Sequence, residues 1–281
     1  MMIHDNRQCQ LGEGAFWHPE RQQFFWFDIL GRRLLSQDAD SKPLEWGLDR
    51  IASAAGWIDR DRLLVATETG LAVLSLEDGS LTEVAKVEAD NPATRSNDGR
   101  ADRQGGFWFG TMGKKGEPGK GALYRFHRGE IRKLVDPITI PNSLCFSPDG
   151  RTVHYSDTDR SIVWRQGLDG DGWPVGNRQV YLDLSAQGWS PDGAVIDADG
   201  GFCCAIWGQG AVMRFDADGN RTHEWKVGGQ HSSCPAFGGP GLSHLLVTTA
   251  LDGIEDPDDA QGKTYLLETG LAGLPEPQVI L

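Results

Sequence analysis

Pro141-Asn142-Ser143-Leu144-Cys145-Phe146-Ser147-Pro148-Asp149-Gly150-Arg151-Thr152-Val153-His154-Tyr155-Ser156 holds the pattern that the rest of the chain repeats. A polar residue, Asn142, is followed four positions later by an apolar one, Phe146. A turn signal, Pro148-Asp149-Gly150, comes next and leads into a β-rich run, Thr152-Val153-His154-Tyr155-Ser156. Equivalent register residues are Glu13, Ala54, Asn97, Asn142, Asp192 and Ser233, with separations of 41, 43, 45, 50 and 41. The apolar position recurs as Trp17, Ile58, Ala101, Phe146, Ile196 and Phe237, and the turn as Glu20, Asp61, Gly105, Gly150 and Gly200. On this reading each register residue stands just ahead of its unit's first strand. A period of roughly 40–50 residues with several strands per unit marks a β-propeller. Six such units use up the 281 residues, and a pair of β-sandwiches would not repeat so evenly. The expected fold is all-β, a six-bladed β-propeller forming one domain over residues 1–281, with no linker-like stretch dividing it.

Composition agrees. The 37 glycines are about twice the usual share, and with 10 tryptophans they suit short strands joined by tight turns. The net charge of −13 argues against nucleic acid and anionic membrane surfaces, which need a clustered positive face. No apolar run approaches the ~18 residues of a membrane span. The start, Met1-Met2-Ile3-His4-Asp5, lacks the apolar core of a secretory signal. The 5 cysteines are odd in number, irregular in spacing and without a C-x-x-C pair. These features suggest a cytoplasmic chain with free thiols, and neither a nucleic-acid nor a membrane partner.

In a propeller the innermost strands face one another across a central channel, so equivalent register positions converge. Glu13, Asn97, Asn142 and Asp192 all offer oxygen atoms there. Two carboxylates left unpaired at one end of a channel repel each other. A hard divalent cation resolves that conflict, because carboxylate and carbonyl oxygens suit Ca²⁺, Mg²⁺ or Mn²⁺. The alternative, that these residues form turns and cap their own backbones, suits Asn and Asp but not Glu13. The tetrapeptide Ser-Pro-Asp-Gly occurs at 147–150 and again at 190–193, yet the register separates the two copies. Asp149 corresponds to Asp199 in a hairpin turn, whereas Asp192 faces the channel. Asp28 and Asp157 share a position fifteen after Glu13 and Asn142, which suggests a repeated structural bond. No Gly-x-Ser-x-Gly elbow appears, so a serine nucleophile is not expected.

Gly12-Glu13-Gly14 with Trp17, Arg95-Ser96-Asn97-Asp98-Gly99 with Gly110-Thr111-Met112, Pro141-Asn142, Pro191-Asp192-Gly193 with Asp197 and Gly200, and Phe237-Gly238-Gly239 occur in that order. Together they resemble the senescence marker protein/gluconolactonase family, which includes regucalcin and bacterial sugar lactonases. The resemblance runs from about residue 11 to 266. It implies a propeller with a metal-binding central channel that hydrolyses small sugar lactones. One divalent cation would be held by Glu13, Asn142 and Asp192, with Ca²⁺ expected first and Zn²⁺, Mn²⁺ or Mg²⁺ as alternatives. Asn97 would lie beside it, Arg95 and Asn97 would hold the sugar, and Asp192 would also act as general base. Two departures stand out: Ala15 where the family often has Pro, and Ser143 where it commonly has Gly, which leaves the backbone beside Asn142 open. The Gly-rich loop Gly113–Gly121 is read as following the third blade's first strand, either as a lid in which Glu117 accepts sugar hydroxyls or as a plain hairpin loop. An esterase or phosphotriesterase on the same metal propeller, and a calcium-binding propeller without catalysis, are the competing readings.

Overall fold

A computed structural model describes residues 1–281 and contains six four-stranded antiparallel sheets arranged as a six-bladed β-propeller. The innermost strands are Gly12–His18, Ala52–Asp59, Thr94–Ala101, Pro141–Phe146, Ser190–Ile196 and His231–Gly238, numbered here as blades 1 to 6. Each pairs with a second strand: Gln23–Asp28, Arg62–Thr67, Phe107–Gly113, Thr152–Asp157, Phe202–Trp207 and His244–Ala250. The β-rich runs of the sequence are therefore second strands, and the register residues lie inside the innermost strands, not ahead of them. The reason is chemical. Innermost strands carry Gly, Ser, Asn and Asp around the axis, so they lack the β-branched and aromatic enrichment that signals a strand.

Both ends of the chain help close the ring. Met2–Asp5 pairs with Thr264–Glu268 and becomes the outermost strand of blade 6. Apolar side chains fill the wedges between blades. Phe16, Phe25 and Phe27 of blade 1 pack with Leu63, Val65 and Leu74 of blade 2, and Leu64 and Leu71 of blade 2 pack with Phe107 and Phe109 of blade 3. The 5 cysteines are free and buried, and no helix is long and apolar enough to cross a membrane.

The irregularities that aim the site are β-bulges. Each innermost strand breaks register near its channel residue: between Glu13 and Phe16, Ser96 and Gly99, Asn142 and Cys145, and Pro191 and Ala194 in the four blades that carry the polar ring. A bulge re-aims a side chain and twists the strand locally. Gly14 has φ 59° and Ser143 has φ 60°, so the residues after Glu13 and after Asn142 share one left-handed conformation. A Cβ on Gly14 would sit 2.2 Å from the Ser53 carbonyl oxygen, which makes glycine obligatory there. Ser143 tolerates the same conformation because its hydroxyl donates to the Asp192 carbonyl and accepts from Ser156 Oγ at 2.9 Å. Ser53 and Ser233 donate likewise to the carbonyls of Asn97 and Gly12. Serines of alternate blades thus tie the backbone of the next blade beside the polar ring.

Asp28 and Asp157 have the structural task their shared position suggests. Asp28 Oδ1 accepts the Leu11 N–H at 3.1 Å, and Asp157 Oδ1 accepts the Ile140 N–H at 3.0 Å. Glu68 does the same for Ile51 in blade 2, at 3.0 Å. Each bond clamps the top of a second strand to the chain entering its blade.

The C-terminal segment crosses the opposite face. Its backbone bonds to Ala198, Leu242, Gly105 and Trp57, at or beside the first turns of blades 5, 6, 3 and 2. Glu276 reaches inward to Arg100 at 3.1 Å, with side-chain exposures of only 10% and 8%.

Candidate active site

One cavity of about 250 Å³ opens at the end of the channel where the register residues sit. Glu13, Arg95, Asn97, Asn142 and Asp192 all line it, so five of the six expected site residues meet in one place. They come from blades 1, 3, 4 and 5. Blades 2 and 6 contribute no ring oxygen: Ala54 is packed in the apolar core, and the Ser233 hydroxyl is used on the Gly12 carbonyl and Thr248.

Glu13 and Asp192 are almost fully buried. Burial first, and then the neighbouring Asp98 carboxyl, push Glu13 up to about 8. Burial and the proximity of Glu13 push Asp192 well above the usual carboxylate range. Two carboxyls that close cannot both ionise cheaply in a site of low polarity. Asp98 lies beside them, accepting N–H bonds from Leu144 at 2.7 Å and Gly99 at 2.8 Å, and burial pushes its carboxyl above the usual range too. Nothing in the register marked Asp98 as electrostatically active, because it follows the channel position by one residue.

Arg95 is buried beside the pair. Burial pulls its guanidinium below the usual arginine range, while Glu13, Asp252 and Asp192 favour the charged form. Its Nη1 donates to the Ser96 carbonyl at 2.9 Å and to Asn97 Oδ1 at 2.8 Å. Asn97 Nδ2 in turn donates to Asn142 Oδ1 at 2.9 Å and to the Pro141 carbonyl at 3.0 Å. Both polar ends of Asn97 are therefore engaged by protein. Asn142 Oδ1 takes one bond and keeps a second lone pair.

The two Ser-Pro-Asp-Gly copies differ as the register requires. Asp149 is exposed and accepts the Arg151 N–H at 3.0 Å in a hairpin turn, whereas Asp192 is 5% exposed and lines the cavity.

Glu117 is the sixth expected residue, and it stands apart from the cavity wall. Its loop joins the second and third strands of blade 3, not the first and second. There Glu117 Oε2 accepts the Lys115 N–H of its own loop at 3.0 Å. Contact with a ligand in the cavity would require the loop to fold inward.

The cavity also has a wall that the sequence reading missed. Trp207 stacks on His231, with ring centroids 4.2 Å apart and planes at 22°. His231 Nδ1 donates to the Asp252 carbonyl at 2.9 Å, and Trp207 and Asp252 both line the cavity. A signal for part of this wall was available. Trp207 is fifteen after Asp192 and Met112 fifteen after Asn97, the same offset as Asp28 and Asp157. Second strands run back up the channel, so that offset returns to the mouth.

The arrangement pairs a carboxylate cluster with an aromatic face and an arginine, which suits a small, neutral, hydroxyl-rich molecule. Residues 11–251 match the model of the SMP-30/Gluconolactonase/LRE-like region. The chain is 36% identical to an L-arabinolactonase of Azospirillum brasilense, over 97% of this chain and 93% of that protein. It is 31% identical to a pentonolactonase of Haloferax volcanii, over 95% and 94%. A crystal structure of regucalcin from Agrobacterium tumefaciens str. C58, described as a calcium-binding protein, superposes with a TM-score of 0.96 at 38% identity, covering 100% of this chain and 97% of that one. On the match across most of its length, this chain belongs to the SMP-30/gluconolactonase family.

Proposed function

We propose that the chain hydrolyses a small sugar lactone, with one divalent cation held by Glu13, Asn142 and Asp192. The observation that carries this reading is the convergence of those three residues with Arg95 in one cavity of about 250 Å³. A cavity of that volume has room for a monosaccharide lactone. The relatives named as an L-arabinolactonase and a pentonolactonase support the same class of substrate.

The donor set fits a hard cation. Two buried carboxyls are each driven toward the protonated form by burial and by neighbouring carboxyls, a conflict that a divalent ion at oxygen ligands removes. The relative described as calcium-binding makes Ca²⁺ the first ion to test. Such an ion would supply Lewis-acid polarisation of the lactone carbonyl and charge to balance the developing oxyanion. The protein's part is positioning and proton transfer. The guanidinium edge of Arg95 not bonded to Asn97 holds a substrate hydroxyl, and Trp207 offers an apolar face to the sugar ring. Asp192, as carboxylate, takes a proton from the attacking water. The tetrahedral adduct then collapses, the ring C–O bond breaks, and the departing alkoxide recovers that proton to leave an open-chain hydroxy acid.

A panel of pentono- and hexonolactones, assayed on metal-stripped protein re-supplied separately with Ca²⁺, Zn²⁺, Mn²⁺ and Mg²⁺, tests the reading. Metal-restored turnover of at least one sugar lactone is expected. Turnover of simple esters or phosphotriesters in place of lactones would shift the reading to the esterase alternative. Tight Ca²⁺ binding with no turnover of any substrate would favour a calcium-binding propeller, the reading that the regucalcin relative's description favours.

A further inference from the structure

We infer that Thr158 is a positioning residue, whose hydroxyl sets which face of the Asn142 amide is offered to the cavity. The inference rests on the reading of Asn142 as a cation ligand and adds to it.

Thr158 begins a single helical turn, Thr158–Arg160, directly after the second strand of blade 4, and it lines the cavity beside Asn142. Its Oγ1 accepts from Asn142 Nδ2 at 2.8 Å and donates to the Pro191 carbonyl at 2.7 Å. The direction of the bond to Asn142 is forced. The Pro191 carbonyl can only accept, so the threonine proton points to it, and only lone pairs remain for Asn142. Asn142 must therefore turn its NH₂ group toward Thr158 and its oxygen to the other side. Asn97 imposes the same choice from that side. Arg95 Nη1 can only donate, so Asn97 turns its oxygen to Arg95 and its NH₂ to Asn142 Oδ1. One chain of donors and acceptors thus runs from Arg95 through Asn97, Asn142 and Thr158 to the residue before Asp192. It joins blades 3, 4 and 5 around the cavity.

The consequence concerns the amide's two ends. An amide oxygen can coordinate a cation, whereas an amide NH₂ cannot. With Thr158 in place, a flipped Asn142 would oppose oxygen to oxygen at Thr158, since the proton of that hydroxyl is held by Pro191. Without the hydroxyl, the Asn142 NH₂ loses its acceptor, and the Asn97 NH₂ on Asn142 Oδ1 is the one bond left to hold the amide. Groups that orient a ligand in this way typically cost about 10–100-fold in metal affinity when removed.

The test uses metal-stripped full-length protein titrated with Ca²⁺ and Mn²⁺ by calorimetry. Thr158→Val keeps the shape and removes the hydroxyl, and Thr158→Ser keeps the hydroxyl. Thr158→Val is expected to bind the ion about tenfold or more weakly, while Thr158→Ser stays within about threefold of the unaltered chain, a difference smaller than that range. Equal affinity of Thr158→Val and the unaltered chain would overturn the inference while leaving the cation site standing. An unaltered chain that takes up neither ion would overturn the cation reading and this inference with it. Thermal melts confirm folding, and Thr158→Ala serves in place of Thr158→Val if the added methyl is not accommodated, with the same outcomes on either side.

Discussion

Removing the metal should make stability fall as pH rises, in a window set by the carboxyl cluster. In the metal-free chain Glu13 is pushed up to about 8, by burial first and then by Asp98, from an ordinary value near 4.5. The folded chain therefore keeps a proton that the unfolded chain has already released. Stability from such a group is present at low pH and is lost as pH climbs toward the folded value. Asp192 and Asp98 are raised as well and act with the same sign, and the Glu13–Asp192 pair releases its protons in steps that belong to the pair. The window above pH 6.5 is the useful one, because buried histidines change charge below it. There, one proton's difference is worth about 1.4 kcal/mol per pH unit, or about 2 kcal/mol between pH 6.5 and 8. For a chain of this size that corresponds to several degrees in Tm. The assay is urea or thermal denaturation of chelator-treated protein at pH 6.5, 7.2 and 8, repeated with saturating Ca²⁺. The metal-free slope is expected to be negative and the Ca²⁺-loaded slope close to flat. Glu13→Gln should lessen the metal-free slope without any ion, leaving the share that Asp192 and Asp98 carry. A metal-free stability that stays level from pH 6.5 to 8 would refute the electrostatic account of the site, whatever the activity assays show.

At saturating metal, Asp192→Asn should reduce kcat for a lactone at least about 100-fold, the lower range for a lost general base; near-normal turnover would remove Asp192 from proton transfer. Glu117→Ala should raise KM about tenfold with kcat little changed if the loop folds over substrate, since a bond made equally in ground and transition states affects only binding, and identical kinetics would leave the loop without a role. Glu276→Gln strands the buried Arg100 cation and should cost about 3–5 kcal/mol in urea unfolding, with much of the loss recovered in Arg100→Met/Glu276→Leu, where neither charge remains. His154, packed against Tyr181 and Phe202, is lowered by burial to about 4. It stays neutral in the folded chain while the unfolded chain takes up a proton below about 6.5, so its contribution to stability is lost as pH falls from 6.5 toward 4; His154→Phe should lessen that acid loss by about 1.4 kcal/mol per pH unit, and an unchanged acid profile would show that His154 is not responsible.

The repeat, the blade number and the polar ring were legible in the amino-acid sequence because a propeller writes its geometry as a period. Equivalent residues of successive blades face one axis, so a constant spacing is enough to bring Glu13, Asn97, Asn142 and Asp192 together and to tell Asp192 from Asp149. What the spacing could not convey is how each side chain is aimed. The bulges beside Glu13 and Asn142, and the left-handed Ser143 held by the Asp192 carbonyl, depend on contacts between blades that lie 40 to 50 residues apart. The direction of the Asn142 amide depends on Thr158, which is sixteen residues on, and on Asn97 from another blade. Trp207 and Asp252 reach the cavity because second strands and their loops return to the channel mouth, and closure of blade 6 by Met2–Asp5 joins residues from opposite ends of the chain. Spacing along a chain records which residues share a level of the propeller. Hydrogen-bond direction, burial and charge coupling exist only between strands already assembled, so the tertiary structure alone decided those.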